Sequence, residues 1–266
     1  DLAACGFTSI TAVEKLMELD DHCSNYLVEP ERVIVGEQER VRWLKSLDKP
    51  QKITNEMIAT SEIRIVLAQL VQEFRQAKKR AGIIDYSDQI RLAATAAKMS
   101  PEMCELVRAQ YQVVLLDEYQ DTSISQKELL QSLFGAGHPV MAVGDPCQAI
   151  YQWRGAEISN MESFVKDFPK SAGQTFVDSA AYSLSVNRRS GKLILKAANT
   201  ISNLLRGLHR SIIELVTDDE AKPLGDVHVA QLLTFEDEVN WIAEQIKNLS
   251  PTSWSDVAVL LREKKH

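Results

Sequence analysis

Two short apolar runs, each stopped by an acid, constrain this chain more than any other feature. Val113 to Leu116 is an unbroken aliphatic run that ends at Asp117-Glu118. Such a run reads as a strand buried on both faces. A polar turn follows, then a helical pattern that sets Leu129, Leu130 and Leu133 on one side, with Gly135 and Gly137 as stop signals. The second run, Val140 to Val143, ends at Gly144-Asp145. Asp117 and Asp145 are about 28 positions apart, close to the roughly 30 residues of a strand–helix–strand crossover. Such crossovers join parallel strands. Both acid clusters then lie on one carboxyl edge, where open α/β sheets bind ligands.

Adjacent acids at a strand end can divide a reaction between them. One carboxylate, Asp117, can hold Mg²⁺, a hard cation that takes oxygen ligands and keeps most of its waters. The next, Glu118, can accept a proton from an attacking water. An Asp-Glu pair also suits plain capping of the helix that follows; the second acid-ended strand favours chemistry.

At this point the residues carry a resemblance. VVLLDEYQDTSISQ resembles motif II of the UvrD/PcrA/Rep-type superfamily I DNA helicases, and VGDPCQAIYQWRGA resembles their motif III. Ile84-Asp85-Tyr86-Ser87-Asp88 is similar to the segment that precedes motif II. Leu184 to Ser190 is similar to motif IV, and Ser255 to Arg262 to motif IVa. The matches follow family order over roughly residues 60–266. The implied fold is α/β, with RecA-like parallel sheets of the P-loop NTPase type and an N-terminal, mostly helical region. The implied division is 1–83 as part of the helical 1B insertion, 84–160 as the later part of the first RecA-like domain, and 161–266 as the first part of the second.

The 266 residues suit about two domains. Cys5, Cys23, Cys104 and Cys147 are scattered with no C-x-x-C spacing. That argues against a zinc site or a disulfide framework and fits a reducing, cytoplasmic compartment. No apolar run approaches a membrane span. The net charge of −7 lends no support to nucleic-acid binding, so that inference rests on motifs alone.

Residues 1–80 read as helices. One has an apolar face of Ile10, Val13, Leu16, Met17 and Leu19. A second, starting near Glu37, carries Val41, Trp43, Leu44 and Leu47. A longer third carries Ile58, Ile63, Val66, Leu67, Leu70, Val71 and Phe74. Lys78-Lys79-Arg80 then lies at a helix end, where cations suit the macrodipole, either solvated or on a DNA backbone. Residues 84–109 supply more helix, with Pro101 in a first turn after Ser100. A short helix at 157–170 presents Phe164 and Phe168. Residues 171–181 read as a loop, with a domain boundary at 157–180. Beyond it, strands at Tyr182–Val186, Val227–Leu233 and Val257–Leu261 alternate with two helices, which predicts a mainly parallel sheet. One helix carries Ile194 to Leu205. The other, from about Glu236, buries Val239, Trp241 or Ile242, and Ile246.

A phosphate-cradling G-x-x-x-x-G-K-[ST] is absent; Gly191-Lys192 is preceded five residues earlier by Val186 and followed by Leu193. Motifs I, V and VI have no match. The expectation is an internal fragment of a longer helicase that by itself binds ATP weakly and hydrolyses essentially none.

By resemblance, Asp117 is the Mg²⁺ ligand, Glu118 the general base and Gln148 the sensor of the γ-phosphate. Tyr151 and Trp153 are stacking platforms for single-stranded DNA. Arg154 links the DNA and nucleotide sites, or forms a structural ion pair. Arg189 is an arginine finger reaching ATP from the second domain. Arg188 stands where the family has a tyrosine on the adenine; its guanidinium either stacks there or faces solvent. The implied activity is ATP-dependent, 3′-to-5′ translocation on single-stranded DNA with unwinding at duplex junctions, in repair or replication and with a repair-protein partner. Alternatives are a RecB/AddA-like motor subunit, a non-catalytic helicase remnant that binds DNA or a partner, and a Mg²⁺ nuclease.

Overall fold

The computed structural model of the chain describes residues 8–48, 51–152, 155–157, 159–172, 175–209, 212–218, 222–249 and 253–261. It divides into two compact units, Asp1–Ser185 with Ile201–Leu215, and Val186–Thr200 with Val216–His266.

The first unit opens with five helices: α1 (Ser9–Asn25), α2 (Pro30–Lys45), α3 (Lys52–Ala81), α4 (Tyr86–Met99) and α5 (Pro101–Gln110). Their ends are written locally. Thr8 and Ser100 accept N–H bonds at the starts of α1 and α5, and Gly82, at φ +67°, closes α3 in the left-handed region. The helix expected near Glu37 starts at Pro30, because a proline at the first helical position gives up only an N–H with no intrahelical acceptor.

The apolar face read for α1 is not its packed face. Ile10, Val13 and Met17 are exposed, whereas Ala12, Asp20, Cys23 and Ser24 are buried. The reason is a buried ionic cluster. Lys78 Nζ lies 3.0 Å from Asp20 and 2.7 Å from both Asp85 and Asp88. Arg75 reaches Asp20 at 2.6 Å, and Arg91 reaches Asp88 at 2.7 Å. These pairs join α1, α3 and α4. Lys78 is therefore neither a solvated terminus nor a free cation for DNA; Lys79 and Arg80 remain exposed. The Ile84–Asp88 segment caps α4, with the Asp85 and Asp88 side chains each bonded to the other's N–H.

Next come β1 (Val114–Leu116), α6 (Ile124–Phe134) and β2 (Val140–Ala142). The strands pair in parallel, Val114 against Val140 and Leu116 against Ala142. Val114, Leu116, Val140 and Ala142 pack on a core centred on Tyr119, Phe134 and Phe168. The opposite face carries Leu115, 72% exposed, and Met141, 61% exposed. The expectation of burial on both faces is thus corrected to one face. Side chains alternate along a strand, and among the described residues helices cover only one side.

Helix α7 (Ser159–Asp167) brings Phe164 and Phe168 to this core, their rings stacked at 4.9 Å. The segment expected as a loop at 171–181 instead contains part of an antiparallel hairpin, β3 (Lys170–Ala172) with β4 (Thr175–Val177). The small and polar residues around it signalled a loop, but Thr-Phe-Val at 175–177 is a β-branched and aromatic run that suits a strand.

The second unit holds most of α8 (Lys192–Arg206) and all of α9 (Phe235–Leu249). Leu195 is buried, and Gly191 lets the chain at Leu224 approach, since a Cβ there would lie 2.8 Å from the Leu224 carbonyl oxygen. Gly191-Lys192 is thus a packing point and not a phosphate loop. The three expected strands do not form among the described residues; a single parallel bridge joins Val186 to Val216. Helix α9 buries none of its residues. An apolar pattern specifies a face, but a strand also needs a neighbouring backbone for its ladder.

Candidate nucleotide-hydrolysis site

The parallel ladder fixes the strand ends. The Val143 N–H donates to the Leu116 carbonyl at 2.8 Å, and the Tyr119 N–H donates to the Val143 carbonyl at 3.0 Å. Between these bonds the chain turns sharply. Glu118 sits at φ +50°, ψ +40°, the left-handed region that a side chain disfavours. Strain of that kind persists only where surroundings impose it. Here Tyr119, buried in the core directly after Glu118, anchors the turn.

Asp117 and Glu118 are both exposed at the β1 end. Asp117 Oδ1 accepts the N–H of Glu118 at 3.0 Å. The two acids line a concavity of about 400 Å³ with Asp121, Thr122, Gln126, Leu129 and Leu130. The β2 end carries Asp145, whose carboxylate accepts from the Cys147 N–H at 2.9 Å and from Gln148 Nε2 at 2.8 Å. Asp145 thereby caps a 3₁₀ turn, Pro146–Gln148, and holds the Gln148 side chain.

One residue joins the two ends, and motif reading missed it. Gln120 is 1% exposed. Its Nε2 donates to Glu118 Oε2 at 2.7 Å, and its Oε1 accepts the Asp145 N–H at 3.0 Å. No signal in the sequence marked it, because the turn from Asp117 to Ser123 is polar almost throughout and only burial sets this amide apart.

The fold therefore brings Glu118, Asp145 and Gln148 into one hydrogen-bonded set, with Asp117 adjacent. Tyr151 follows the Gln148 turn and is 37% exposed. Ala156 bridges Ser123 beyond it and pins the loop to the start of α6. Trp153 and Arg154 lie outside the described residues. Arg188 and Arg189 belong to the second unit. Both are exposed; Arg188 pairs with Asp218 at 3.8 Å, and the Arg189 N–H donates to Asn187 Oδ1 at 3.2 Å.

Among the described residues no group of three His, Cys, Asp or Glu is arranged to hold a metal ion. The donor set is a pair of exposed carboxylates at a strand end. That suits Mg²⁺, which binds through one or two carboxylates plus water and substrate phosphates, and not a cation needing a full protein cage. Among the described residues no helix is long and apolar enough to cross a membrane.

The sequence profile of the UvrD/REP helicase N-terminal domain matches residues 9–169, and that of the UvrD-like helicase C-terminal domain matches residues 182–266. The ATP-dependent DNA helicase UvrD1 of Mycobacterium tuberculosis is 31% identical over 226 residues, covering 81% of this chain and 28% of that protein. UvrD1 of Mycobacterium leprae is 30% identical over 230 residues, with the same coverage of 81% and 28%. The ATP-dependent DNA helicase PcrA of Staphylococcus aureus is 28% identical over 208 residues, covering 74% of this chain and 26% of that protein. The chain thus spans about a quarter of the length of these curated relatives. With profiles matching along most of its length, over the very strand ends that carry the acids, the chain belongs to the UvrD/REP helicase family.

Proposed function

We propose that this chain carries the hydrolytic edge of an ATP-dependent helicase that translocates on single-stranded DNA and opens duplex junctions. The observation that carries the reading is the hydrogen-bonded joining of Glu118 to the Asp145–Gln148 turn across two adjacent parallel strand ends. Glu118 takes the proton of the attacking water; Gln120 engages Oε2 and leaves Oε1 to face that water. Asp117 holds Mg²⁺, which when bound neutralises phosphate charge. Gln148 reads the presence of the terminal phosphate. Tyr151 and Trp153 stack on bases, and Arg154 connects the two sites. Arg189 completes the charge stabilisation and Arg188 meets the adenine, both from the second RecA-like domain. The helical 1–83, the 84–160 segment and the 161–266 segment are the three domain portions. The direction is 3′ to 5′ and the setting is cytoplasmic DNA repair or replication with a repair-protein partner. The names of the three relatives, all ATP-dependent DNA helicases, support the class.

The test is Glu118→Gln in the intact helicase. Turnover of ATP falls by at least about 100-fold, the usual scale for a lost general base, while nucleotide binding is retained. Undiminished DNA-stimulated ATPase refutes the assignment.

A further inference from the structure

Gln120 has no role in the motif reading, yet its environment is the most constrained in the site. A buried primary amide brings two donors and an acceptor out of water and is costly unless they are matched. Its orientation is set by its neighbours' chemistry. The Asp145 N–H can only donate, so it must face Oε1. The Glu118 carboxylate can only accept, so it must face Nε2. Gly144 leaves the space for this: a Cβ there would stand 2.6 Å from Gln120 Oε1 and 3.1 Å from Gln120 N. Asp145 is the shared node, its backbone bonded to Gln120 and its carboxylate to Gln148. The chain of contacts therefore runs Glu118, Gln120, Asp145, Gln148 without a gap.

We propose that Gln120 is the positioning residue of this site, holding the Glu118 carboxylate against the end of β2 and linking it through Asp145 to Gln148. This rests on Glu118 being the base. Glu118 is exposed and on a long side chain, so nothing else described in its surroundings fixes its carboxylate. The Nε2 bond supplies that fixation, and a shift of Gln148 reaches the base through three hydrogen bonds.

Two experiments test it. In the intact helicase, Gln120→Met keeps the side-chain length and removes both polar ends, and Gln120→Glu keeps an acceptor for Asp145 but removes the donor to Glu118. Both are expected to lower kcat about 100-fold, the cost of misplacing a reacting group by about an ångström, with KM for ATP within about two-fold. Adding Gln120→Met to Glu118→Gln should cause no further loss, because Gln120 acts through Glu118. Unchanged kcat in Gln120→Glu, or a further loss in the double variant, overturns the proposal. If Glu118→Gln itself turns over normally, the functional reading fails instead. The second experiment needs no turnover. In the 266-residue chain labelled with ¹⁵N-glutamine, the Gln120 side-chain amide, identified by its loss in Gln120→Met, should exchange slowly with solvent. It should shift in both Glu118→Ala and Gln148→Ala. An amide that stays in place in either variant overturns the linkage.

Discussion

Lys78 offers the sharpest test of how the helical part is held together. Its side chain is 7% exposed and its ammonium meets three carboxylates, of which Asp20 and Asp88 are 5% and 4% exposed. Replacing it with methionine keeps the apolar stem but removes the cation that lies 4.6 Å from the centre of the Phe74 ring. It deletes one charge-assisted bond to each buried acid, worth about 1.5–3 kcal/mol apiece. Asp85 is 45% exposed, so its share is a surface pair's, under about 1 kcal/mol. Arg75 and Arg91 stay on Asp20 and Asp88 and soften the loss. The expected cost is about 3–5 kcal/mol, the range for removing one partner of a buried ion pair. Urea unfolding of the 266-residue chain, followed by helical circular dichroism, measures it. Lys79→Met, one position on and exposed, serves as the control and should change stability by no more than about 0.5 kcal/mol. The difference should survive added salt, since buried pairs are weakly screened. A Lys78→Met cost below about 1 kcal/mol would refute the clamp.

The same cluster makes an acid-labile contribution. Burial pushes the Asp88 carboxyl up, but bonds from Lys78, Arg91 and the Asp85 N–H outweigh it and hold it below the usual range. A depressed carboxylate stabilises the fold above its unfolded value and loses that contribution as pH falls through the folded one. Urea midpoints should therefore drop as pH falls through and below the ordinary aspartate range, and Asp88→Asn should flatten that slope. Phe168→Ala empties a site 2% exposed between Tyr119, Phe134 and Phe164 and should cost about 3–5 kcal/mol in the same assay. Tyr119→Phe removes a buried hydroxyl that has no hydrogen-bond partner among the described residues; stability should hold within about 1 kcal/mol or rise, and a loss above about 2 kcal/mol would reveal a partner for it.

Local signals were legible because they depend on neighbours in sequence. Ser100-Pro101 starts α5, and apolar runs stopped by acids mark β1 and β2. The crossover length even predicted that these two strands run parallel, as they do. Three things were not written locally. The packed side of α1 is the Asp20 side, because a buried lysine 58 positions away attracts it. Among the described residues the β1–β2 sheet is covered on one face only, which a two-sided apolar run cannot reveal. The described apolar segments of the second unit are not in strands, since a ladder needs a backbone beside it.

The site divides in the same way. Asp117 and Glu118 were read from the acid-ended strand that carries them, and Gln148 only from its resemblance to motif III. Gln120 emerged only from coordinates, because an amide's role depends on which donor and acceptor face it across the fold. Sequence by itself determined which groups reach the carboxyl edge, through the period of strand and helix and the length of the crossover. Tertiary structure alone decided how they are joined, because burial and hydrogen-bond partnership arise between residues that the chain brings together only when it folds.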